Sequence, residues 1–233
     1  MIIKDQFDPE LRKNIKMQTQ IAIIPVGSIE QHGPHLPIST DSDIITEIGF
    51  RVSEKSNSLL IPTINYGVSF EHFPFFNLSL KNSTLTNVLK DICISLSENH
   101  INRIIILNGH HGNLKSLKNF VKNIEKARKG LKISIFSYWH YMKEEFDHAG
   151  FVETSLMLAI SSNVKMKKAR KGLIIDNLPK KEIHRLSKLA SKSFPKATKN
   201  GIWGDPTNAS AVKGKKILNE VVNNIIKESN LPY

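Results

Sequence analysis

The chain has 233 residues, 40% of them hydrophobic, and a formal net charge of +12. This length suits one α/β domain spanning residues 1–233, with a sizeable core. No run approaches the roughly 20 apolar residues that a membrane span requires, and a lone cysteine excludes an internal disulfide framework.

The opening stretch, MIIKDQFDPELRKNIK, lacks the apolar segment of a signal peptide. With the single thiol, this points to a cytoplasmic protein. The basic excess admits two readings, an anionic partner or a lysine-rich solvated surface. Lys, Ile and Asn are all abundant, and the densest basic run, Lys165 to Lys171, contains no base-stacking aromatic residue. The second reading is therefore adopted, with neither nucleic acid nor membrane expected as a partner.

Ile21 to Val26 reads as a strand followed by a loop punctuated with Gly and Pro. Ile44 to Val52 reads as a helix, and Leu59 to Pro62 as a short strand leading to Tyr66-Gly67. From Ser83 to Glu98 the apolar residues Leu85, Val88, Leu89, Ile92 and Leu96 recur at helical spacing, with Ser83 or Thr84 as N-cap and Cys93 as buried filler. Arg103 to Leu107 is an apolar strand. Asn113 opens a helix carrying Leu114, Leu117, Phe120, Val121 and Ile124 and closing at Gly130. Ile133 to Phe136 is another strand, and Glu153 to Ile160 and Ala209 to Ile226 are helical. Strands alternating with helices imply a mostly parallel sheet covered on both faces. The charged stretch from Val164 to Asn200 reads as an excursion.

Three polar clusters carry the chemistry. Gly27-Ser28-Ile29-Glu30-Gln31-His32-Gly33-Pro34-His35-Leu36-Pro37, followed by Asp41, directly succeeds the first strand. Open α/β sheets bind ligands beyond the carboxyl ends of their strands. Glu30 and His32, two apart, project to one side of an extended chain and form a plausible pair of metal ligands. Asn108-Gly109-His110-His111-Gly112-Asn113 follows the RIIIL strand, where one histidine would bring the set to Glu, His, Asp and His. Mixed N/O donors of this kind suit Zn²⁺, Mn²⁺ or Fe²⁺. In Asp147-His148-Ala149-Gly150-Phe151-Val152-Glu153-Thr154-Ser155, Glu153 opens a helix, as a favourable first-turn charge or as a ligand or base.

Taken together, GSIEQHGPHLP with its following Asp, NGHHGN, HAGFVETS and the tail Gly201-Ile202-Trp203-Gly204-Asp205-Pro206-Thr207 resemble the creatininase family, in order along the chain. The resemblance implies a three-layer α/β/α sandwich holding two divalent metals, zinc or manganese with iron also compatible, in a closed homo-oligomer, often a hexamer. It matches Glu30, Asp41 and His110 to one metal and His32 and Asp41 to the second, with Asp41 bridging. Creatininase proper carries a glutamate at the position of Gly112, which helps hold the second metal, so Glu153 is the expected replacement. Tyr66-Gly67-Val68-Ser69-Phe70-Glu71-His72 resembles the family's G-x-S-x-E-H element, in which the serine contacts substrate. Ser69 and His111 are accordingly assigned to substrate, although the Phe-Pro-Gly-Thr that usually follows is replaced here.

The implied reaction is hydrolysis of a C–N amide bond in a small non-peptide molecule. Two metals sharing a carboxylate lower the pKa of a bridging water and supply hydroxide, and His148 matches the family's general acid. The substrate is a cyclic amide such as creatinine, or alternatively a formamide on a pyrimidine precursor. A basic nucleic-acid-binding protein with a structural metal is a remote rival that leaves the ordered motifs unexplained.

Overall fold

The computed structural model describes residues 1–17, 20–118 and 120–231. Its centre is a four-stranded, all-parallel sheet in the order β2-β1-β3-β4, formed by β1 (Ile21–Val26), β2 (Leu59–Leu60), β3 (Arg103–Asn108) and β4 (Lys132–Ser137). The central strands are buried on both faces, which is why they read as continuous apolar runs rather than alternating ones.

The pleat sends alternate side chains to opposite layers. Ile21, Ile23, Ile105 and Leu107 face one core, shared with Ile44, Ile45 and Ile48 of α2 (Thr40–Ser56), Val152 and Leu156 of α6 (Phe151–Ile160), and Val221 and Ile225 of α9 (Ala211–Glu228). Ala22, Ile24, Ile104 and Ile106 face the other core, shared with Leu85, Leu89 and Cys93 of α3 (Asn82–Glu98) and Phe120 and Ile124 of α5 (Phe120–Ala127). The result is the expected α/β/α sandwich. Among the described residues, no helix is long and apolar enough to cross a membrane.

Several elements depart from the sequence expectation. The short apolar stripe Ile44 to Val52 marks only the middle of α2, which begins at Thr40 and so carries Asp41 in its first turn. α3 starts one residue before Ser83, with Lys81 at the cap and no side-chain cap bond, so neither Ser83 nor Thr84 is the N-cap. The single helix expected from Asn113 is two pieces, α4 (Leu114–Leu117) and α5, preceded by a 3₁₀ turn at His111–Asn113. The N-terminal helix α1 (Asp8–Met17) has no fully buried residue and gave no apolar signal. The excursion after α6 contains α7 (Lys180–Ala190) and α8 (Phe194–Thr198), which pack on one another and reach over the carboxyl end of the sheet.

β1 and β3 pair through Val26 and Asn108, their last residues, and Gly109 N–H donates to the Val26 carbonyl at 2.8 Å. The two sequence motifs therefore leave the sheet side by side. α9 in turn packs against α6 at Gly214, where a Cβ would collide with the backbone carbonyl of Ser155. Helix propensity favours Ala over Gly by about 1 kcal/mol, but a backbone carbonyl cannot rotate out of the way. Gly214→Ala should therefore destabilise the protein by about 1–3 kcal/mol, the usual cost of overpacking. Urea denaturation measures this directly, and an unchanged or raised midpoint would show that α6 and α9 can separate freely.

Candidate metal centre

Glu30 and His32 lie in the loop after β1, Asp41 in the first turn of α2, His110 in the loop after β3, and Glu153 in the first turn of α6. All five are buried, from 0% exposure for Glu30 and His32 to 4% for His110. Two triads arise, Glu30–Asp41–His110 and His32–Asp41–Glu153, each with ligand atoms mutually within 4.8 Å, and Asp41 belongs to both. Its Oδ1 lies 3.2 Å from His32 Nε2 and its Oδ2 lies 3.0 Å from His110 Nδ1. Glu153 Oε2 is 3.5 Å from His32 Nε2.

Each imidazole has one nitrogen against a backbone carbonyl. His32 Nδ1 donates to Glu30 O at 3.1 Å, and His110 Nε2 donates to Val68 O at 2.9 Å. That pairing leaves His32 Nε2 and His110 Nδ1 facing carboxylate oxygens, and His110 Nε2 also lies 3.3 Å from Glu30 Oε2. Metal-binding histidines are held in this way, with the far nitrogen fixed by an acceptor. Glu30 Oε1 and Asp41 Oδ2 are buried yet form no hydrogen bond among the described residues, although imidazole nitrogens approach them at 3.1 and 3.0 Å. These atoms converge on shared points without bonding one another, as expected of donors arranged around a cation.

The ionisation pattern agrees. Burial alone would lower the His32 pKa, but Asp41, Glu153 and Glu30 push it up to about 10. Burial likewise opposes the charge on His110, and Glu30 and Asp41 raise it to about 10. Burial would raise Asp41, yet His32 and His110 hold it well below the carboxylate range. Glu153 is pushed up to about 8, chiefly by burial, against the opposing charge of His32. The cluster thus holds positive charge between its carboxylates even without a metal, and a divalent ion would displace those protons on binding.

A cavity of about 300 Å³ opens above the cluster. His148 lies on its wall, its Nε2 3.1 Å from Gln31 O and 3.2 Å from Gln31 Nε2, and its Nδ1 3.9 Å from Glu30 Oε1. Burial, with His32 and His72 nearby, lowers the pKa of His148 well below the usual imidazole range. His148 also forms a third possible triad with Glu30 and His32. His111 lines the cavity 6.0 Å from the Trp139 ring and 6.3 Å from that of Phe146. Ser69 is fully buried with its Oγ unbonded among the described residues, and it is not part of the described cavity wall.

Several contributors carried no clear sequence signal. His72 Nε2 lies 3.1 Å from Glu30 Oε1, and its Nδ1 accepts from Gln31 Nε2 at 3.0 Å. Phe194, from the excursion, stacks on His72 at 4.7 Å and meets His148 edge-on at 4.6 Å. Asp147 receives the Val152 N–H at 2.8 Å and so fixes the start of α6. Tyr138 OH donates to Glu153 Oε1 at 3.3 Å, and the Ala149 N–H donates to Oε2 at 2.7 Å. The adjacency of Glu71-His72 to the serine motif was the one available pointer to His72.

The family model for creatininase, described as creatinine amidohydrolase, matches residues 5–228. The chain belongs to the creatininase family. Members of this family are amidohydrolases, and the chain is accordingly a hydrolase of that type. It is 31% identical over 218 residues to a mycofactocin precursor peptide peptidase from Mycobacterium ulcerans (strain Agy99), covering 88% of this chain and 82% of the relative. A creatinine amidohydrolase from Pseudomonas putida is 30% identical over 170 residues, covering 60% and 64% respectively. A Methanothermus fervidus relative is named 2-amino-5-formylamino-6-ribosylaminopyrimidin-4(3H)-one 5'-monophosphate deformylase. Among solved structures, a manganese creatininase superposes with a TM-score of 0.81 at 24% identity, covering 100% of this chain and 99% of that one, and another is of Zn-Zn type. Because one relative is named for a peptide precursor, the expected restriction to non-peptide bonds does not follow from family membership.

Asp41 is the one side chain common to both triads. Asp41→Ala should therefore reduce metal content more than alanine at Glu30, His32, His110 or Glu153, measured by elemental analysis after dialysis. An Asp41→Ala protein that retained the wild-type metal content would place the bridge elsewhere.

Proposed function

We propose that this protein is a binuclear metal-dependent amidohydrolase that cleaves a C–N amide bond in a small, uncharged substrate. The two triads sharing Asp41 on the floor of one cavity carry the reading. Glu30, Asp41 and His110 would hold one divalent ion, zinc or manganese, and His32, Asp41 and Glu153 the other. Ions bound there supply Lewis acidity, lowering the pKa of water toward neutrality and polarising the scissile carbonyl.

The protein's own groups account for the remaining chemistry. Water adds across the amide, and the departing nitrogen must gain a proton to leave as an amine. Gln31 engages His148 Nε2, so Nδ1 is the nitrogen available to take the proton released by the attacking water and pass it to the departing nitrogen. Phe146, Ile175, Ile183, Ala190, Phe194 and Trp203 give the cavity apolar walls that select an apolar body and limit water around the reacting bond. His111 at the wall is positioned to contact the substrate, whereas Ser69 would need the loop around it to move first.

Substrate choice within the family follows from charge. The described cavity wall contains no Lys or Arg and includes Glu71, Asp147 and Glu153. A phosphorylated formamide would find no Lys or Arg on the wall to pair with its phosphate, which favours a neutral cyclic amide over a pyrimidine monophosphate. A second reading, cleavage of an amide in a peptide-derived molecule, is favoured by the peptidase relative, which aligns over 82% of its length.

Screening metal-loaded protein against creatinine, other cyclic amides, short peptides and phosphorylated formamides tests the reading. Turnover of a neutral amide is expected, and turnover of the phosphorylated formamide alone would contradict it. Two variants separate binding from proton transfer. Glu153→Gln should lower occupancy of one ion, because a neutral amide donates little charge. His148→Ala should keep both ions and lose roughly 10²–10⁴-fold in turnover, as for a lost general acid. If His148→Ala lost an ion instead, its role would be that of a ligand in the Glu30–His32–His148 triad.

A further inference from the structure

No candidate residue was expected at the end of β4, yet that strand reaches the site. β4 pairs with β3 in register as far as Asn108 and Ser137, and the Asn108 side chain donates to Ser137 Oγ at 3.1 Å. Asn108 Oδ1 in turn accepts the backbone N–H of His110 at 3.2 Å. The residue after Ser137 therefore leaves the sheet beside the loop that carries His110. That residue is Tyr138, at the head of a 3₁₀ turn spanning Tyr138–Tyr141.

Tyr138 is fully buried, and its ring stands edge-on to Trp139 at 5.3 Å and to Phe146 at 6.2 Å. A phenol hydroxyl sealed from water needs an acceptor. Glu153 Oε1, at 3.3 Å, is that acceptor among the described residues. The other carboxylate oxygen, Oε2, accepts the Ala149 N–H at 2.7 Å and lies 3.5 Å from His32 Nε2. One oxygen is thus tied back toward the end of β4 while the other is turned to His32. A phenylalanine would fill the same space with no polar atom to satisfy, but it would leave Oε1 without this donor. Tyr138 does not line the described cavity, so any part it plays in the chemistry passes through Glu153.

We propose that Tyr138 is a positioning residue, its hydroxyl holding the Glu153 carboxylate turned toward His32 and Asp41 for cation binding. A carboxylate that ligates a metal is itself oriented by hydrogen bonds from groups behind it, and losing such a partner weakens the site. A phenol keeps its proton at neutral pH, so it donates to the carboxylate rather than competing with it for a cation. The inference rests on the two-metal reading above. It adds a residue to the His32–Asp41–Glu153 side alone.

The test compares full-length wild type, Tyr138→Phe, Glu153→Gln and the double variant, using Zn²⁺ as the probe in competition with a chromogenic chelator. Circular dichroism and thermal melts on the metal-free proteins report folding. Tyr138→Phe removes a single oxygen atom and should weaken one of two zinc sites by roughly 10–100-fold, the usual cost of losing such a partner. It should be the site that Glu153→Gln weakens, with the other unchanged. In the double variant the change at Tyr138 should add little to the loss already present, because the two residues act as one unit. A tyrosine serving only the core would lower the melting temperature and leave both zinc affinities at their wild-type values, which would overturn the proposal while leaving the two-metal reading intact. Weakening of the other site or of both equally, or the full loss repeated in the Glu153→Gln background, would also overturn it. A wild type binding no zinc would overturn both. Should Tyr138→Phe fail to fold, Tyr138→Met, which also lacks the hydroxyl, is judged by the same outcomes.

Discussion

The buried carboxylate of Asp41, held between two imidazoles, is the constraint on which the active end of this molecule depends. A fully desolvated charge is tolerated only where opposite charge meets it. Here His32 lies on one oxygen and His110 on the other. The three groups come from the loop after β1, the start of α2 and the loop after β3. They can meet only if β1 and β3 are neighbours in register and α2 begins at the carboxyl edge of the sheet. The parallel pairing that ends at Val26 and Asn108 meets the first condition, and the early start of α2 meets the second.

The same arrangement divides the site into a floor and a roof. The floor hangs from β1, β3 and the first turn of α6, all packed into the two cores. The roof comes from α7 and α8, through Ile183, Ala190 and Phe194. The side chains proposed to hold ions thus belong to the scaffold, while much of the cavity roof comes from the excursion. Such a division lets one chemical centre serve different substrates, in keeping with family relatives named for creatinine, a peptide precursor and a formamide.

The sheet was legible because its central strands are apolar on both faces and short, leaving little alternative to parallel burial. The floor of the site was legible for a related reason: Glu30, His32 and His110 lie in loops that directly follow strands, and Asp41 opens the helix after the first of them. The start of α2 was missed because its first turn, Thr40 to Asp43, is polar and owes its burial to the site rather than to an apolar stripe. Phe194 was missed because its place at the site arises from tertiary approach. Nothing local announces that Phe194 will cover His72.

The central claim is that Asp41 bridges two cations. Crystals of zinc-loaded protein, measured on either side of the zinc absorption edge, test it most directly. The account predicts two anomalous peaks flanking Asp41, one within bonding distance of Glu30 and His110 and the other of His32 and Glu153. A single peak, or two peaks of which Asp41 touches only one, would contradict it.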